Sequence, residues 1–504
     1  MSDGISRRGM LGGALALILT AHSARAETAA PATSLRPVGR GDHLLRRNQA
    51  SGEELIAKAR LGANAEVSYA VANMQTGLLL EENSPVTGLP PASVAKALTA
   101  SYALDVLGPE YRFETRILAT GGIKDGIVQG DLILAGGGDP TLDTDGLAAL
   151  AASMKAAGVT SVLGEFQVWG GALAFAPEID IEQPPHVGYS PAVSGLNLNY
   201  NRVHFEWRRN GSGYVVNMDA RTAAHRPAVQ FARMDVVARS LPVYTYDDRD
   251  GRDDWTVARG ALGEGGSRWL PVRKPELYAG EVFQTFARTQ GISLNASVPV
   301  TALPEGAEVV ATQDSAPLRV ILHDMLKWST NLTAEAVGMA ASKARLGQVP
   351  ETLKASAAEM NAWAKERIGA VDVALVDHSG LGGDSRISAL DMMLALKTVR
   401  PLLELKPLLK PFTMRDSQRR VIEDHPLKVH AKTGTLNFVS GLAGFVDLPD
   451  GTELVFAIFC ADVARREALP MSQRERPEGG SSWNVRAKPL QRGLIERWGV
   501  MYAA

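Results

Sequence analysis

Ser93 and Lys96 make the single S-x-x-K of a 504-residue chain. On a helix, residues three apart share a face, so the lysine amine reaches the serine hydroxyl and the pair can serve as nucleophile and base. The lysine serves only if its amine is neutral, which requires burial and a nearby positive charge, and Lys432 is the cation available to supply it. Ser329-Thr330-Asn331 is a second candidate group. Ser and Asn two apart diverge on a regular helix, so the triplet belongs in a turn between helical pieces; its plainer use is as a helix cap. Lys432-Thr433-Gly434-Thr435 is the third, a cation and two hydroxyls on a strand edge that can hold a carboxylate, with Gly434 leaving room for a substrate alongside. A lysine that merely protects an edge strand has the same look.

The surrounding elements must bring these segments together. Val67–Ala72 and Leu78–Leu80 flank Gln75-Thr76-Gly77 as a hairpin would. Pro90-Pro91 then ends the extended chain, and the Ala/Leu-rich run from Val94 to Leu104 has helical propensity. Ser93 therefore falls at a helix start, where unpaired N–H groups and the positive dipole end favour an anionic transition state. Short strands and Gly-rich turns fill 116–317. Helical patterning resumes at Leu318–Ser342 and Thr352–Arg367, strands at Leu436–Asp447 and Leu454–Cys460, and a closing helix at Pro489–Trp498. The fold class expected is α/β (α+β), one unit assembled from 53–115 and 318–504 with a strand-rich insertion at 116–317.

Formal charge is −2 with 21% charged residues, which gives no support to a nucleic-acid binder or a polybasic membrane protein. Cys460 is the one cysteine, so internal disulfides and cysteine-pair metal sites are excluded; it sits in an apolar strand as packing. No H-E-x-x-H, EF-hand or G-x-S-x-G pattern occurs, so no metal and no cofactor is expected. His378 and His430 read as structural neighbours of the motifs rather than as acids or bases. At the amino terminus, Arg7-Arg8, the apolar run Leu11–Thr20 and Ala24-Arg25-Ala26 read as an export signal at 1–26 cleaved after Ala26, by a twin-arginine or a general secretory route. Residues 27–52, rich in Pro, Ser, Ala and Arg, read as a flexible lead-in, and no other run is long enough to span a bilayer.

The order of the three motifs carries more than any one of them: S-x-x-K after a hairpin, S-x-N at a helical turn far downstream, K-T-G-T leading into a strand from Leu436 with a hairpin after it. With these, and with Gly130-Asp131-Leu132, Gly136 through Leu142, and Asp377-His378-Ser379-Gly380-Leu381, the chain resembles the low-molecular-mass class C penicillin-binding proteins, the D-alanyl-D-alanine carboxypeptidases/endopeptidases. The resemblance implies a penicillin-binding transpeptidase/β-lactamase-like domain, its antiparallel sheet flanked by helices and carrying inserted domains. It implies Ser93 as nucleophile, Lys96 as base and Ser329 as proton relay to the leaving nitrogen. It further implies Asn331 on the substrate's amide, Lys432, Thr433 and Thr435 on its terminal carboxylate, and the N–H groups of Ser93 and Thr435 on the oxyanion. The substrates implied are peptidoglycan stem peptides ending in D-Ala-D-Ala, the covalent inhibitors β-lactams, and the compartment the periplasm.

Two stretches depart from that family's pattern. Gly382-Gly383-Asp384 lengthens one loop, and Ala464–Ala487 is a polar insertion before the last helix. Both bear on substrate preference rather than on the reaction. β-Lactamases and esterases use the same three motifs, but the long span between Ser93 and Ser329 favours the peptidase. A catalytically idle peptidoglycan-binding protein would have no need of Ser93, Lys96, Ser329, Asn331 and Lys432 in that order.

Overall fold

The run Leu454-Val455-Phe456-Ala457-Ile458-Phe459-Cys460-Ala461 has no polar alternation because both its faces are covered. Val455, Ala457, Phe459 and Ala461 point into one core, while Leu454, Phe456, Ile458 and Cys460 point into another. A strand buried on both sides reads as a continuous apolar stretch. Cys460 is wholly buried, and burial pushes its thiol up to about 12, so it is packing.

The computed structural model describes residues 46, 48–249 and 251–503. The expected export signal at 1–26 and most of the lead-in at 27–52 lie outside these. In the unit running from Ala50 onward, helix α1 (Gly52–Ala59) is started by Ser51, whose hydroxyl accepts from the Glu54 N–H while the Glu54 carboxylate accepts from Ser51 N–H. This capping box takes the last residues of the expected lead-in into the fold. Strands β1 (Glu66–Asn73) and β2 (Leu79–Asn83) form the expected hairpin, and α2 (Ala95–Leu107) carries Lys96.

Downstream of the middle stretch come α3 (Leu318–Trp328), α4 (Asn331–Leu346), α5 (Leu353–Ile368) and α6 (Ala389–Val399). They are followed by β3 (Lys428–Leu436), β4 (Val439–Asp447), β5 (Glu453–Ala461) and α7 (Gly480–Tyr502). The five-stranded sheet runs in the order β3-β4-β5-β1-β2 and is antiparallel throughout. One face packs on α2 to α6; the other packs on α7 through Trp483, Leu490, Leu494 and Trp498. Those tryptophans hold α7 together from Gly480, nine residues before the expected start at Pro489, which lies inside the helix. Among the described residues no helix is long and apolar enough to cross a membrane.

The middle stretch builds its own core, drawn from Ile117 to Ala311. Its strands form a mixed five-stranded sheet and three three-stranded sheets. It is less purely strand-like than expected: Thr144–Ala156 and Pro275–Thr289 are helices, the first capped by Asp143, whose carboxylate accepts from the Gly146 N–H. Leu173, Ile179 and Val193 leave that core and pack against the helices of the sheet's unit. The chain near 173–193 is thereby fixed beside the serine-bearing turn.

Candidate active site

Ser93 lies in a single 3₁₀ turn, Ala92–Val94, that feeds α2. Ala92 is held at φ 48, a left-handed conformation costly for a residue with a Cβ. Two glycines clamp that turn. A Cβ on Gly434 would stand 2.6 Å from the Pro91 carbonyl oxygen and 3.0 Å from the Val94 nitrogen, and one on Gly380 would run into the Ala92 carbonyl. Gly434 is thus required for the edge strand β3 to approach the serine turn, whatever room it also leaves for a substrate.

Lys96 is fully buried, and its Nζ has three oxygen neighbours: Ser93 Oγ at 3.0 Å, Asn331 Oδ1 at 2.7 Å and the Ser379 carbonyl at 2.8 Å. A neutral amine has two N–H bonds and one lone pair. The two carbonyl oxygens can only accept, so they take both hydrogens and leave the lone pair facing the Ser93 hydroxyl. Burial lowers the Lys96 pKa to about 8, against the raising pull of Glu335 and Asp377. Burial, and not the charge of Lys432, is what the lowering depends on. The charge effect runs the other way: burial first, then the charges of Lys96 and Lys410, push Lys432 well below its ordinary value.

Ser329 and Asn331 occupy the break between α3 and α4. Ser329 takes a left-handed conformation at φ 61, its N–H donating to the Met325 carbonyl as the cap of α3, and Asn331 opens α4. The cap and the chemical placement are compatible, since capping uses the Ser329 backbone and leaves its hydroxyl free to turn inward. Lys432 Nζ donates to Ser329 Oγ at 3.0 Å and to the Thr433 carbonyl at 2.7 Å. The Asn331 side-chain N–H donates to the Tyr189 carbonyl at 2.9 Å, tying the motif to the middle stretch.

The K-T-G-T segment lies within β3, not ahead of a strand. The apolar run expected as one strand from Leu436 is broken by a tight turn at Asn437-Phe438, with Phe438 at φ 58, before β4 returns. β3 is the sheet's edge, as expected. Thr435 is exposed and lines the site; Thr433 contributes its carbonyl to the network described above. Ser93, Ser329, Asn331, Gly380 and Thr435 share the lining of one cavity of about 290 Å³. Gln183, Tyr189, Arg466, Arg474 and Glu475 form its other wall.

Sequence reasoning missed Glu335. It lies four residues after Asn331 on α4, fully buried, and its carboxylate accepts from the N–H groups of His378 at 3.0 Å and Ser379 at 2.9 Å. It thereby fixes the Ser379 carbonyl that holds Lys96. Burial, with Asp377 nearby, raises Glu335 to about 8. Asp377 accepts from the N–H groups of Gly380 at 2.8 Å and Gly382 at 2.6 Å and closes the same loop. The signal was an acidic residue at i+4 from Asn331 within the otherwise apolar stretch Ala334–Ala341. His378 is wholly buried with its pKa pulled down by burial to about 3, and its Nε2 lies 2.7 Å from Ser356 Oγ, a structural placement.

One other grouping has metal-ligand chemistry: His204, Glu206 and Asp219 bring ligand atoms within 4.8 Å of one another. Arg221 already bonds Glu206 at 2.7 Å and Asp219 at 2.6 Å, so a guanidinium fills the place of a cation. None of the three lines the catalytic cavity.

The chain is 24% identical to D-alanyl-D-alanine carboxypeptidase DacB of Haemophilus influenzae over 430 residues, 81% of this chain and 87% of that protein. Its fold matches the crystal structure of penicillin binding protein 4 (dacB) from Haemophilus influenzae with a TM-score of 0.73 at 20% identity, covering 90% of this chain and 100% of the other. A structure of that protein complexed with a β-lactam matches with a TM-score of 0.69, also at 20% identity, covering 89% and 99%. A family model described as D-Ala-D-Ala carboxypeptidase 3 (S13) matches residues 49–476, a span holding every motif residue of the cavity, and the chain belongs to that family.

Proposed function

We propose that Ser93 is the nucleophile of this serine D-Ala-D-Ala carboxypeptidase and Lys96 its base. The observation that carries the reading is the Lys96 amine 3.0 Å from Ser93 Oγ, with two carbonyl oxygens at 2.7 and 2.8 Å to take the two hydrogens of its neutral form. Ser93 Oγ passes its proton to Lys96 and attacks the carbonyl carbon of the penultimate D-Ala, while the N–H groups of Ser93 and Thr435 receive the oxyanion. The C–N bond breaks as Ser329, hydrogen-bonded to Lys432, delivers its proton to the leaving nitrogen and receives in turn the proton that Lys96 took from Ser93, which leaves Lys96 neutral again. Terminal D-Ala departs and the peptide remains as an ester of Ser93. Water, deprotonated by Lys96, then attacks the ester and frees the serine. Lys432, Thr433 and Thr435 hold the terminal carboxylate, and the part of Asn331 not engaged with Lys96 and Tyr189 meets the substrate amide.

The catalytic unit in this reading is assembled from 53–115 and 318–504, with 116–317 inserted. Its place of work is the periplasm, reached through the signal at 1–26, and its substrates are peptidoglycan stem peptides, with β-lactams as acylating mimics. A D-Ala-D-Ala peptide incubated with the purified protein should release D-Ala, and Ser93→Ala should lower the rate by on the order of 10⁴-fold or more. Undiminished release by Ser93→Ala contradicts the assignment. The lifetime of the penicillin adduct separates the peptidase from a β-lactamase: minutes for the first, under a second for the second.

A further inference from the structure

The two stretches that depart from the family's pattern meet at one place. Gly383 and Asp384, from the lengthened loop, and Arg466, Glu467, Leu469 and Arg474, from the polar insertion, line a cavity of about 260 Å³ with Glu182 and Gln183 of the middle stretch. Gln183, Asn437, Arg466 and Arg474 line both this cavity and the catalytic one, so the two adjoin. The short helix Val463–Glu467 presents Arg466 there.

Apart from Asp384, which is exposed and has no hydrogen bond or ion pair among the described residues, the charged groups around Arg466 are already engaged. Arg474 donates to the Glu182 carboxylate at 2.9 Å and to its carbonyl at 3.0 Å. Glu475 accepts from Arg268 at 3.0 Å and lies 2.8 Å from His186 Nε2, Glu467 pairs with Arg386 at 3.6 Å, and Asp180 accepts from the Glu182 N–H and the Gln183 amide. The Arg466 guanidinium, partly buried, has no hydrogen bond or ion pair among the described residues. Burial weakens its hold on its proton, and Asp180 acts on it from beyond contact. A partly desolvated guanidinium without a partner is a site for a carboxylate, which it meets with two parallel N–H bonds.

We propose that Arg466 is a specificity-determining residue that binds a second carboxylate of the substrate, carried by the peptide upstream of the two D-alanines. This rests on the reaction proposed above. With the terminal carboxylate assigned to the strand around Lys432 and Thr435, Arg466 lines the same cavity as Ser93 and Thr435, together with Leu436 and Asn437 at the end of that strand. The segment that carries it is tied there, since the Asn437 side chain donates to the Arg474 carbonyl at 2.5 Å.

The test uses two acetylated peptides ending in D-Ala-D-Ala that differ only in one upstream side chain, glutamyl in one and glutaminyl in the other. The unaltered protein should prefer the carboxylate in kcat/KM by about ten-fold or more, the range of one charge-assisted bidentate contact. Arg466→Gln should bring the ratio of the two rates toward one, and Arg466→Lys should keep part of it. Because both peptides are read on one preparation, a loss of active protein cancels from the ratio. Equal rates for the two peptides with the unaltered protein, or an undiminished ratio in Arg466→Gln, overturn the subsite. Release of D-Ala from neither peptide by the unaltered protein overturns the reaction itself, and the subsite with it.

Discussion

Behind Ser93 and Asn331 the groups that hold this side of the cavity, Lys96 and Glu335, are fully buried and satisfied internally, whereas the wall from Gln183 and Tyr189 to Arg474 and Glu475 is partly exposed and held by ion pairs at the surface. The first is set into the core between α2, α4 and the sheet; the second is made of loops from the middle stretch and the insertion before α7. Buried polar networks specify one geometry because an unpaired member is costly, and surface ion pairs cost little to rearrange. On the assignments proposed above, the reaction belongs to the rigid side and substrate preference to the adjustable one.

Substitutions on the two sides should differ accordingly. The largest effect short of losing the nucleophile is expected for Lys96→Ala, a fall in penicillin acylation of on the order of 10²–10⁴-fold with the far-ultraviolet spectrum kept. Normal acylation would remove Lys96 from the mechanism. Gly434→Ala should follow, because its methyl group forces β3 away from Pro91. A displacement of about 1 Å costs about 10²-fold, read as acylation rate. Unchanged labelling would show that strand and serine turn are not held in contact.

Glu335→Ala and Glu475→Ala compare the walls in stability. The first orphans two buried N–H groups at about 1–3 kcal/mol each, a loss of about 2–6 kcal/mol in denaturant unfolding. The second breaks partly exposed pairs to Arg268 and His186 and should cost under about 1 kcal/mol. Equal losses would erase the distinction between the walls.

The three motifs were legible because each is local: a helical spacing, a break between helices, a strand edge. Glu335 was not, because its partners, His378 and Ser379, come from a loop more than forty residues away. The steric need for Gly434 against the serine turn was not legible for the same cause, as its neighbour Pro91 is brought by the sheet and not by the sequence. The helices of the middle stretch escaped because Asp143 and the Ala-rich turn after it lie among Gly-rich strands. The flagged departures at Gly382–Asp384 and Ala464–Ala487 were visible, while their meeting at one cavity depended on the fold.

A further expected effect is graded with pH. The Lys96 pKa is lowered to about 8, and the base works in its neutral form, so acylation should fall as pH drops below 8, about ten-fold per unit, and level off above it. A flat profile between pH 6 and 9 would mean the amine does not lose its proton in this range.

Mass analysis of a proteolytic digest after brief exposure to benzylpenicillin tests the central assignment most directly. The added mass of the opened β-lactam should fall on the peptide containing Ser93 and vanish in Ser93→Ala. An adduct on any other residue, or one retained by Ser93→Ala, would contradict it.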